Sequence, residues 1–164
     1  MPQVENNSTL LKAWAVCRRF RMGRYAVAKA ICFMAPYFGT IKPAFVQIEQ
    51  GYVAAKFKNR RKVRNHLGSI HAIAMCNAVE LVTGSCAEVS LHKDLRWIPV
   101  GMNVEYKKKA KSELLAICKA ENYPDWQDNQ QISIPVVVKD MQGDVVMSAL
   151  VFMKISMKSK VKKF

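Results

Sequence analysis

The chain is short of acid. Its 164 residues carry only 12 Asp and Glu against 26 Lys and Arg, and only three His. Glycine and proline are scarce as well, seven and six, so neither a low-complexity linker nor a fibrous repeat is accommodated. The five cysteines lie far apart at positions 17, 32, 76, 86 and 118, with no C-x-x-C pair and an odd total. A disulfide framework or a zinc site needs paired, closely spaced thiols, so both are excluded and no metal site is expected. Most of these thiols read as small buried hydrophobes in a reducing, cytoplasmic compartment. The first nine residues hold no cationic stretch followed by an apolar run, so no secretory signal is expected. The apolar stretch Ala30 to Ile41 is interrupted by Pro36 and Gly39 and falls short of the ~20 residues that span a bilayer. A soluble protein is the expectation.

What is present in quantity is apolar residue, 51% of the chain against 23% charged, enough to bury the core of one domain. The positive charge is concentrated at the front. Residues 1–64 carry 13 Lys and Arg against Glu5 and Glu49, a net of +11, whereas residues 65–164 net only +3. Such a front half attracts a polyanionic ligand, an anionic membrane surface or nucleic acid. Nucleic acid is disfavoured. No helix-turn-helix or zinc pattern is evident, and Phe57 is the only aromatic within the basic run.

Periodicity orders the elements. Ser8 or Thr9 is placed to cap a helix reaching about Arg21, and a second helix runs from Tyr25 to Met34, stopping before Pro36. Phe45, Val46 and Ile48, the turn pair Gln50-Gly51, and Tyr52 to Phe57 read as a β-hairpin. A helix from about Ile70 to Thr83, capped by Ser69 or Gly68, is apolar on nearly every side and must be buried. Strands are expected over 102–109, 112–121, 132–139 and 145–156, with a turn at Asp140-Met141-Gln142-Gly143. One apolar helix between hairpins buries itself only if the sheet curls around it. The class is therefore α+β. Residues 1–43 form an N-terminal helical extension, 44–156 the main domain and 157–164 a basic tail. The front helices either lie on anionic lipid, a weak possibility, or pack over the sheet. In the second case Ile31, Phe33, Met34, Tyr37 and Phe38 roof an acyl pocket.

That order, with Asn65, His71 and Glu80 at the start of and along the buried helix, resembles the hot-dog thioesterase superfamily. The likeness is to its phenylacetyl-coenzyme-A-thioesterase-type branch and to a related bacterial family of uncharacterised function. In that branch an Asn is followed six residues later by His-Gly-Gly, and a helical carboxylate lies nine residues beyond the His. Here Asn65 to His71 is six and His71 to Glu80 is nine, but Ala72 and Ile73 replace the two glycines. The resemblance implies a long central helix wrapped by a curved antiparallel sheet of five to six strands, and a homodimer or homotetramer. It also implies hydrolysis of an acyl thioester, with acyl-coenzyme A as substrate and no cofactor of its own.

The chemistry suits the residues. Thioester hydrolysis builds charge on the carbonyl oxygen and needs a nucleophile or an activated water. The N–H groups at the helix start, near His71 and Ala72, are placed to polarise that oxygen, Asn65 to donate a further hydrogen bond or hold the water, and Glu80 to act as base or nucleophile. Nine helical residues span ~13 Å, so Glu80 and His71 meet one carbonyl only across a two-fold dimer. Six cations lie within residues 56–64; of these Arg60, Arg61, Lys62 and Arg64, with Lys108 and Lys109, are candidates for the coenzyme A phosphates. Cys76 reads as a core thiol rather than a nucleophile. A non-catalytic module that binds acyl-coenzyme A or lipid is the alternative, favoured by the lost glycines.

Overall fold

The computed structural model describes residues 8–20, 22–121 and 123–158. Arg21, the expected end of the first helix, and the tail beyond residue 158 lie outside the described residues, as do the first seven positions. Helix α1 spans Thr9–Cys17 and α2 Gly23–Met34; a 3-10 turn, Pro36–Ile41, follows. Ser8 occupies the cap position of α1 but makes no side-chain capping bond.

Strands β1 (Ala44–Glu49) and β2 (Tyr52–Phe57) form the expected hairpin, with Gly51 at φ +72°, where a side chain would be strained. After a 3-10 turn at Arg61–Val63 comes the central helix α3, Ala72–Ser90, then β3 (Leu95–Tyr106), β4 (Leu114–Lys119), β5 (Gln131–Lys139) and β6 (Val145–Met157). All six strands form one antiparallel sheet in the order β1-β2-β4-β5-β6-β3, with β1 and β3 at its edges. It wraps α3, whose Val79, Leu81 and Val82 are buried among Phe45, Phe57, Leu114 and Met147. Burying each such side chain stabilises the fold by about 1.5–3 kcal/mol.

The central helix differs from expectation at both ends. Its cap is His71 rather than Ser69 or Gly68, and it continues seven residues beyond Thr83. Two polar residues of its second half are satisfied inside the fold. Thr83 Oγ1 donates to the Val79 carbonyl at 2.7 Å, and Ser90 Oγ accepts the Gly51 N–H at 2.8 Å, which ties the helix end to the first hairpin. At 19 residues and a mean hydropathy of 1.3, α3 is long and apolar enough to cross a membrane, but 67% of it is buried within the sheet. It is the core helix.

Strand β3 begins at Leu95, seven residues earlier than the sequence suggests. Pro99 and Gly101 read as breakers, yet they flank a bulge on an edge strand, where a missing N–H costs nothing. The front helices only partly roof the sheet. Trp14 is buried edge-on to Phe45 at 6.5 Å, and Ile31 and Phe38 pack on the core. Phe33, Met34 and Tyr37, expected to form part of that roof over an acyl pocket, are instead 88%, 77% and 63% exposed.

Candidate active site at the open edge of the sheet

The loop that leads into α3 is held by Asn65. Its Oδ1 accepts the Leu67 N–H (3.0 Å), the Ser69 N–H (3.2 Å) and the Ser69 hydroxyl (3.1 Å). This is an Asx-type turn, so the carboxamide oxygen is used locally while its NH2 has no acceptor among the described residues. His71 Nδ1 accepts the Ile73 N–H at 3.1 Å, and the His71 carbonyl accepts the Ala74 N–H at 3.0 Å. The bond requires an unprotonated Nδ1. Of the first N–H groups of α3, the one left without an acceptor among the described residues is that of Ala72.

Ile73, Cys76, Glu80 and Gly84 recur at helical spacing along one face of α3. That face meets the edge strand β3, which runs antiparallel to the helix. Near the helix centre, Trp97 lies against Gly84 and its Nε1 donates to Glu88 Oε2 at 3.3 Å. Near the helix start, Tyr106 Oη and Cys76 Sγ are 3.3 Å apart. Glu80 lies one helical turn from each contact, half-buried, and its carboxylate makes no hydrogen bond or ion pair with any described residue. Met102 and Val104, half-buried between Trp97 and Tyr106 on β3, add apolar surface packed against the core. Glu80 and Ala72 of one chain are ~12 Å apart along the helix, too far to serve one carbonyl.

The hydrogen bond to Cys76, and then burial, push the Tyr106 phenol up to about 12, so it remains a protonated donor through the physiological range. No local sequence pattern announces this pair. The thiol is half-buried rather than a core residue, and Tyr106 reaches the helix only because the bulge in β3 shifts the strand's alternation.

The cations fall into two groups. Lys108 is held by Asp144 (2.5 Å) and Asp140 (2.9 Å) in the β5–β6 turn, Arg64 Nε by Asn59 Oδ1 (2.7 Å), and Arg60 Nη2 by the Thr40 carbonyl (3.0 Å). Arg61, Lys62 and Lys109 are exposed and without a partner among the described residues. Asn59 Nδ2 donates to the Lys111 carbonyl at 2.7 Å, which brings the 109–111 segment against the basic loop. Among the described residues, no three His, Cys, Asp or Glu side chains lie close enough to hold a metal.

A curled six-stranded antiparallel sheet around one long apolar helix defines the hot-dog fold. Residues 23–155 match a family described as a domain of unknown function, DUF4442, and the chain belongs to that family. The crystal structure of the structural-genomics target APC5556 is similar at a TM-score of 0.79 and 35% identity, over 91% of this chain and 99% of that one. A thioesterase from Haemophilus influenzae shares the fold at a TM-score of 0.70 and 6% identity, over 82% and 94% of the two chains. A variant of a Staphylococcus aureus thioesterase does so at 0.65 and 14%, over 74% and 98%. No curated protein matches the sequence.

Proposed function

We propose that the protein hydrolyses an acyl thioester, with acyl-coenzyme A as substrate, at Glu80 where α3 meets the edge strand β3. The observation that carries this reading is Glu80. Among the described residues it is the carboxylate of the core helix that has no partner, beside an open sheet edge. A carboxylate beside an open sheet edge and free of a counter-charge is available to a bound substrate as base or nucleophile. Glu80 would take a proton from a water that attacks the thioester carbon and pass it to the departing coenzyme A thiolate as the C–S bond breaks. Alternatively it would attack that carbon itself to give an anhydride that water then cleaves to the free acid.

The oxyanion needs donors, and the Ala72 N–H at the positive end of α3 is one. Because Glu80 and Ala72 of one chain are too far apart, the reading requires a second copy. Strand β3 supports it: twelve residues long, at a sheet edge, with Ile98 and Val100 60% and 51% exposed. An apolar edge of that length invites pairing with another strand. A two-fold dimer through β3 would bring a partner helix beside each Glu80. Arg61, Lys62 and Lys109 are the cations free to meet the phosphates; Lys108 is already engaged by two aspartates.

One observation favours the alternative, a module that binds acyl-coenzyme A without turnover. His71 takes up the Ile73 N–H, so only a single free donor remains at the helix start. Free-thiol release from short, long and aromatic acyl-coenzyme A thioesters, compared between wild type and Glu80→Gln, separates the two. Hydrolysis predicts turnover that collapses in the variant; the module predicts binding with no release by either protein.

A further inference from the structure

A cavity of about 410 Å³ whose lining excludes Glu80 lies between α2, the Pro36–Ile41 turn and the open end of the first hairpin. Its floor is apolar: Ala28, Ala44 and Phe57 are buried there, and Cys32 and Tyr25 line the wall. Five cations surround it, Lys29, Lys42, Lys56, Lys58 and Arg60, against one acid, Glu113. That acid is already spent on Lys56 at 2.9 Å. Lys29, Lys42 and Lys58 have no partner among the described residues, and the Arg60 Nε–H is buried with no acceptor. Lys42 also sits at φ +47° immediately before Pro43, a conformation that costs a non-glycine residue on the order of 1 kcal/mol or more. An apolar recess of this size ringed by unbalanced positive charge is shaped for a ligand with an apolar body and one anionic end.

We propose that this cavity is a second binding site, for a single-chain fatty carboxylate, with the tail against Ala28, Ala44 and Phe57 and the head among Lys29, Lys42 and Lys58. A nucleotide suits it less, because the floor offers almost no hydrogen-bonding groups. Binding here does not require turnover at Glu80, so the site stands or falls separately from the thioesterase reading.

Cys32 supplies the test. The intact protein is titrated with dodecanoate by calorimetry, and alkylation of each cysteine is followed by peptide mass spectrometry with and without the ligand. Saturable binding is expected, with alkylation of Cys32 slowed and that of Cys76 unchanged. Dodecanol and inorganic phosphate, which carry only the tail or only the charge, should each bind at least about tenfold more weakly. Reversing two exposed charges, Lys29→Glu with Lys58→Glu, should weaken dodecanoate about tenfold, equivalent to about 1.4 kcal/mol at partly screened sites. Absence of saturable binding, dodecanol binding as tightly as dodecanoate, or protection of Cys76 in place of Cys32 would overturn the proposal.

Discussion

Gly84 sits in the middle of α3, where alanine would strengthen the helix by about 1 kcal/mol. Geometry opposes the gain. A Cβ at this position would lie 2.6 Å from the outermost ring carbon of Trp97 and 3.2 Å from the next. Real carbon contacts are ~3.5–4.0 Å, so the indole or the strand carrying it must retreat by about 1 Å. The ring is rigid, and the bond from its Nε1 to Glu88 holds its far side, so the strain falls on β3. Overpacking of this kind costs ~1–3 kcal/mol. Gly84→Ala should therefore destabilise the protein by about 1 kcal/mol net, or about 3 °C in Tm for a chain of this size. In a Trp97→Leu background the clash is gone, and the same substitution should stabilise by about 1 kcal/mol. The cycle, read by urea denaturation at fixed protein concentration, should show a coupling of about 2 kcal/mol. Gly84→Ala stabilising equally in both backgrounds would refute the idea that Trp97 dictates glycine here.

Trp14→Ala should lose ~3–5 kcal/mol, because the indole is 7% exposed and anchors α1 to Phe45; chemical denaturation measures it. The Asp140 carboxyl is held below the ordinary carboxylate range, first by the Lys108 ammonium and also by the Asp144 and Gln142 N–H groups. A depressed folded-state pKa contributes stability above the unfolded value of about 3.9 that is lost as pH falls through the folded one. Tm measured from pH 6 down to pH 2 should accordingly fall less steeply in Asp140→Asn than in wild type. Ile98→Lys with Val100→Lys, both on the exposed edge of β3, should shift the protein from dimer to monomer in light scattering and lower thiol release in parallel.

Local rules made much of this fold legible in the sequence. Gln50-Gly51 and Asp140 to Gly143 specify turns by backbone chemistry alone, and an all-round apolar helix allows no surface position. The rules failed where tertiary contacts override local preference. Gly84 and Ser85 resemble a helix end until Trp97 and the sheet fill the space beside them. Pro99 and Gly101 resemble breakers until the edge position of β3 makes them harmless. The same two errors hid part of the site. Without β3 from Leu95 and its bulge, neither Trp97 nor Tyr106 can be placed against α3, and Cys76 looks like filler for the core. His71 as a helix cap and Asn65 as a loop brace emerge only from the hydrogen bonds, since their spacing fits a catalytic or a structural role equally well. The exposure of Phe33, Met34 and Tyr37 was likewise unreadable, because apolar composition does not say which side of a short helix meets the core.

The most direct test of the account is thiol release from acyl-coenzyme A by wild type and Glu80→Gln, with the oligomeric state of both checked by light scattering. Wild type should turn over, and a variant of unchanged assembly should lose at least about a hundredfold, the scale of a removed general base. Undiminished hydrolysis by Glu80→Gln, or none by wild type under conditions where it binds the substrate, would contradict the account.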